Sequence, residues 1–217
     1  MRIIQERIQK TGLWNSIVEQ ELISLWKYGV LRISDSMIRK SIIDFLSQEA
    51  PLGFFVNPAS VSGKWHPKWQ NEKCGILRNT TECCLFADQM LMQYQEFCDT
   101  THRVLPEARD IVLCATILSD TFKYGTLIVE PHSDKAKHIR EHGQVAADKW
   151  WPIAYATCPL NPIKEIYDST YWHLGRWTPG WTPGVKFSKL TEIVHILDAI
   201  FADKNLELLY EVKQIVG

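Results

Sequence analysis

The chain has 217 residues, 46% of them hydrophobic and 23% charged, enough for one good-sized globular domain with a substantial core. Its formal net charge of -1 gives no broad positive field for duplex DNA or an anionic membrane, so a basic function would need a local pocket. No apolar run reaches the roughly 18 residues of a membrane span, and the opening "MRIIQERIQK" reads as a charged amphipathic stretch, not a signal peptide, which places the protein in the cytoplasm.

Helical periodicity dominates from the N-terminus onward. Trp14, Val18, Leu22, Leu25 and Trp26 form one apolar stripe, stopped by Gly29. Ser34 or Asp35 can cap a second helix with Ile38, Ile42, Phe45 and Leu46 on one face. "LGFFV" and, further on, "GTLIVE" are the only strand-like pieces and admit a short β-hairpin. A long helix then carries Ile76, Thr80, Cys83, Ala87, Met90, Leu91 and Tyr94. Pro106 suits the first turn of the next helix, "PEARDIVLCATILSD". That helix is apolar almost all round after Asp110, which predicts a central, buried position. Further helices are predicted over 134–150, 162–171, 188–203 and 206–216. The expectation is an all-α protein, with a helical appendage over 1–50 packed on a main helical domain over 51–217.

Six cysteines without a C-x-x-C pair lie mostly in apolar periodic segments and read as reduced core residues. Trp65, Trp69, Trp177 and Trp181 fall in Pro- and Gly-rich loops, where an aromatic can face a ligand. "WTPGWTPG", residues 177–184, is a pair of Pro-Gly turns placed to act as a lid.

Two aspartates stand where apolar residues belong. Asp120 ends the buried helix, and Asp198 interrupts "IVHILDAIF". An unpaired carboxylate there costs several kcal/mol, so each needs a cation, a metal or a set of donors. Seven histidines are available to join them. His138 and His142, at i and i+4, would face one point on a shared helix, and His195 shares a helix with Asp198. Spacing does not choose the ligands; His132 or His138 could stand in for His142. Imidazole and carboxylate together suit Zn, Mn, Fe, Ni or Mg.

Five segments, in order from about Asn57 to Lys204, resemble the HD-domain metal-dependent phosphohydrolases. They are "NPASVSGKWHPKWQNEKCGILRNTTECCLFADQM", "DIVLCATILSDTFKYG", "HIREHGQVAADKWW", "STYWHLGRWTP" and "EIVHILDAIFADK". The resemblance implies an HD-like helical bundle that hydrolyses phosphoesters, commonly in nucleotides, with a divalent metal. It makes Asp120 the bridging aspartate, His142 and His173 the second metal's ligands, and Asp198 the last ligand of the first. Lys123 would meet a substrate phosphate. Asn79 and Ser119 stand where that family has histidines, so the first metal position has lost both imidazoles.

Three functions follow. In the first, the chain binds a nucleotide or short oligonucleotide without cutting it. Lys64, His66, Arg78, Lys123 and Arg176 grip phosphate, while Trp65 or Trp177 stacks on a base. In the second it is a one-metal phosphodiesterase in which Asp120, His142 and His173 hold the ion and Asp120 and Lys123 act in catalysis. In the third it is a structural or interaction protein, and Asn79 and Ser119 mark relaxation of a lost function. The apolar first helix and the loop tryptophans would also suit a homodimer. The resemblance further suggests a phage-type setting, where sequestering or destroying a nucleotide signal of host defence in the host cytoplasm would fit.

Overall fold

The computed structural model describes residues 1–133 and 138–203. Among them it is all-α, with no strand and no helix long and apolar enough to cross a membrane. Helix α1 (Arg2–Gln9) places Ile4 and Ile8 in the core. Helix α2 (Ser16–Tyr28) starts at Asn15, whose side chain accepts from the Ile17 and Val18 amides, and it ends at Gly29. Asp35 rather than Ser34 caps α3 (Ser36–Gln48), accepting from the Met37 and Ile38 amides. Helices α4 (Leu52–Val56), α5 (Gly75–Leu91) and α6 (Pro106–Ser119) follow. Then come α7 (His142–Tyr155), α8 (Leu160–Tyr171) and α9 (Lys189–Phe201), the last capped by Ser188.

Helix α6 is the axis of the packing. Every residue from Asp110 to Ser119 is buried, in agreement with its all-round apolar sequence. It contacts α3, α5, α7, α8 and α9, and α7 packs in turn along α8. Apolar residues of α1, α2 and α3 belong to the same core cluster as those of α5, α6 and α8. Trp150 on α7 is fully buried and donates from its indole N–H to Ser41 Oγ on α3 at 3.2 Å.

The strand expectations are overturned. "LGFFV" is helix α4, and "GTLIVE" forms no strand. A five-residue apolar run carries no periodicity that separates strand from helix. The 127–129 segment finds its backbone partners on one side chain: Asn57 Nδ2 donates to Leu127 O and Asn57 Oδ1 accepts from the Val129 amide. With a side chain filling that role, no second strand is needed. The helix predicted over 134–150 begins only at His142, so His138 precedes it and the two histidines do not share a helical turn. Residues 134–137 of that prediction, and the helix predicted over 206–216, lie outside the described residues.

Asp110 fastens the N-terminal helices to α6. Its buried carboxylate accepts from the Ser34 amide at 2.7 Å and the Asp35 amide at 2.8 Å. Asp110→Ala leaves two backbone donors unsatisfied, and chemical denaturation should show a loss of about 2–4 kcal/mol. An unchanged midpoint would mean that water replaces the carboxylate without cost.

Candidate metal and ligand site

Three helix ends meet at the site. Asp120 is the residue after α6, His142 is the first residue of α7, and His173 lies just beyond α8. All three are buried, and their ligating atoms lie within 4.8 Å of one another. Glycine makes the α7–α8 approach possible: a Cβ at Gly143 would fall 2.6 Å from Thr170 O and closer still to the His173 ring.

The hydrogen bonds fix the imidazole tautomers. His142 Nδ1 lies 2.6 Å from Ile139 O, and His173 Nδ1 lies 2.9 Å from Thr170 O. A carbonyl only accepts, so each Nδ1 carries a proton. The two Nε2 atoms then face each other at 3.0 Å, and His142 Nε2 lies 3.2 Å from Asp120 Oδ1. Unprotonated, they present two lone pairs and a carboxylate oxygen to one point, an arrangement that repels itself until a cation enters. The donor set therefore fits a divalent metal: a buried Asp120–His142–His173 group can hold one ion.

Electrostatics support that charge pattern. Burial raises the Asp120 carboxyl, but the Lys123 ammonium in contact with it outweighs this and holds it well below the usual carboxylate range. Burial and the neighbouring His142 push His173 down to about 3, so its imidazole is neutral near pH 7. Lys123 donates to Asp120 Oδ2 at 2.8 Å. Burial lowers its pKa, yet the charges of Asp120 and Asp198 more than offset this and raise it. Asp198, from α9, is pushed up to about 6 by burial and by the charge of Asp120. It lines the cleft but stands outside the three-ligand group.

Asn79 and Ser119 both form hydrogen bonds at or beside the site. Asn79 Nδ2 donates to Asp120 Oδ2 at 3.4 Å, which gives that oxygen a donor instead of a neighbouring ligand. Asn79 Oδ1 is buried without a partner. Ser119 Oγ donates back to Thr116 O at 3.0 Å.

Above the cluster opens a cleft of about 1020 Å³. Lys64, Trp65, His66, Lys123, His138 and Trp177 line it, as do Asp120, His142 and Asp198. Trp65 is 70% exposed and Trp177 57%, so both rings are open to a ligand. Arg78 does not line the cleft; it pairs with Glu21 at 2.6 Å and donates to Trp69 O. Arg176 is exposed and lies 4.8 Å over the Trp177 ring, also outside the lining. His132 is exposed in a left-handed turn, and the His138 ring lies 6.3 Å from that of His142. Trp69 spends its indole N–H on Glu82.

Sequence reasoning missed Arg140 and Tyr124, both in the lining. Arg140 sits in a stretch without periodicity. The Tyr124 hydroxyl, beside Lys123 in sequence, accepts from the Val61 amide at 3.0 Å and so ties the lysine's segment to the opposite loop.

His66 is one of two buried imidazoles, with His173, whose lowered pKa makes the fold pH-sensitive. Burial first, then the Lys123 charge, pushes the His66 pKa down to about 4, against about 6.5 in an unfolded chain. The unfolded chain therefore takes up the proton first as pH falls. Stability is retained above pH 6.5 and declines as pH falls from 6.5 towards 4, by about 3 kcal/mol for this group. Denaturation midpoints of metal-free protein should fall across that window, and His66→Gln should flatten the slope. An equal slope in the variant would assign the effect to other groups.

No family model matches the chain, and no curated protein or solved structure matches it either.

Proposed function

We propose that the protein binds a nucleotide-type phosphoester, such as a cyclic nucleotide or short oligonucleotide, in this cleft, and holds it rather than cutting it. One observation carries the reading: Lys64, Lys123 and Arg140 line the same cleft as two open tryptophans, over a buried group fit for a cation. Phosphate oxygens suit the cationic groups, and a base can stack on Trp65 or Trp177. The resemblance to HD-domain phosphohydrolases supports the phosphoester class. The donor amide of Asn79 and the turned hydroxyl of Ser119 support holding over hydrolysis, since neither offers what an imidazole would.

A second reading is a one-metal phosphodiesterase, favoured by the convergence of Asp120 Oδ1, His142 Nε2 and His173 Nε2. When bound, an ion there would acidify a water and offset phosphoryl charge. His142 and His173 would hold it through Nε2, each oriented by its Nδ1–H bond to a backbone carbonyl. Lys123 would neutralise a phosphate oxygen, and Asp198 would accept a hydrogen bond from water in the cleft.

Protein purified without chelator should carry about one equivalent of divalent metal, and Asp120→Ala should lose it. Less than one equivalent, together with turnover indifferent to chelator, would sink the one-metal enzyme. Among linear and cyclic nucleotides, at least one should raise the melting temperature and be recovered intact after heat release. Recovery of a cleaved product favours the phosphodiesterase. If no nucleotide stabilises the protein, both readings fail. Arg78→Gln should leave ligand affinity unchanged within about twofold, since Arg78 lies outside the cleft.

A further inference from the structure

We infer that His66 is a positioning residue for Lys123: it offers the ammonium a second acceptor, which lets Lys123 release Asp120 Oδ2 when a divalent cation is taken up beside His142 and His173. This deepens the reading above and rests only on its metal-binding half.

A relay behind His66 fixes its tautomer. Ionised Glu82 can only accept: its Oε2 takes Gln70 Nε2 at 2.6 Å and its Oε1 takes the Trp69 indole N–H at 3.0 Å. With the amide nitrogen committed there, Gln70 Oε1 faces His66 Nδ1 at 2.7 Å and accepts its proton. His66 Nε2 is left as a lone pair, 3.4 Å from Lys123 Nζ. The ring is 4% exposed and lines the cleft. Its low pKa keeps it neutral near pH 7, so it can accept from an ammonium without opposing it.

Lys123 needs such an acceptor. Its Nζ is 2.8 Å from Asp120 Oδ2, and Asp120 is also the carboxylate of the metal group. An ammonium and a divalent cation on one buried carboxylate repel each other strongly at that range. Moving the ammonium off Asp120 with no other acceptor would strand a charge in a buried place, where its desolvation costs several kcal/mol. His66 Nε2 is already within reach. Asn79 Nδ2 remains on Oδ2 when Lys123 leaves, so that oxygen keeps a donor. Of the three ammonium hydrogens, Asp120 and His66 engage two, and a third can meet an anion in the cleft.

A double-mutant cycle on metal affinity tests this, with Mn²⁺ alone as the probe and calorimetry of the full chain as the readout. Lys123→Met should tighten Mn²⁺ about fivefold or more by removing the competing charge. His66→Phe should weaken Mn²⁺ about fivefold while Lys123 is present and leave it unchanged in the Lys123→Met background, a coupling of the size that contacting residues show. Equal weakening in both backgrounds would mean that His66 acts on the ion directly, and it overturns the inference. So does an unaltered affinity in His66→Phe, or absence of binding by both wild type and Lys123→Met. If His66→Phe does not fold, His66→Asn serves the same cycle, because its shorter side chain does not span to Nζ. Nucleotide binding is read separately by heat release, so the two ideas can fail independently.

Discussion

The Asp120 carboxylate is a full negative charge buried at the end of α6, a helix with no exposed residue from Asp110 onward, and its neighbours are arranged around that fact. Left alone it would cost several kcal/mol. Lys123 and Asn79 donate to one oxygen, and His142 Nε2 faces the other at 3.2 Å. Helix α6 brings the carboxylate in. The starts and ends of α7 and α8 bring the imidazoles to it, and the absence of a side chain at Gly143 lets them come close enough. The wider cleft inherits its character from this centre. Its floor holds charge and lone pairs, while its mouth carries aromatic rings and basic groups.

The division of labour at Asp120 bears on how Asn79 and Ser119 are used. If Asn79 and Ser119 had merely relaxed, their polar atoms would have no consistent relation to the carboxylate. Instead the Asn79 amide nitrogen points at Oδ2 and Ser119 turns into its own helix. One half of the site holds the donors Lys123 and Asn79, and the other presents the Nε2 atoms of His142 and His173. Such a centre is chemically asymmetric, and a ligand bound above it would meet the Lys123 ammonium on one side and the His142 and His173 rings on the other.

Much of this was legible in the sequence. The buried α6, the Asp35 cap, the Pro106 start and the grouping of Asp120, His142 and His173 all follow from periodicity, capping chemistry and the resemblance to HD-domain proteins. Other features were not legible because they depend on tertiary partners. "LGFFV" has no period to read, and the 127–129 segment is satisfied by Asn57, some 70 residues earlier. Arg78 read as a phosphate grip. Its side chain instead spans to Glu21 on α2. The Glu82–Gln70–His66 relay combines residues 4 and 12 apart across a loop and a helix, and no spacing rule anticipates it.

Both imidazoles of the metal group are tethered in the same way, each Nδ1 held by the carbonyl three residues earlier in the chain. Ring rotation would break those bonds, so neither imidazole is free to swivel. The carboxylate, by contrast, meets side chains alone: Lys123 and Asn79 at one oxygen and His142 at the other. The centre is thus stiff along its nitrogen edge and compliant along its oxygen edge. Ions that differ in radius would be accommodated by a shift of Asp120, and selectivity between them would reside in how far that residue, just past the end of α6, can yield.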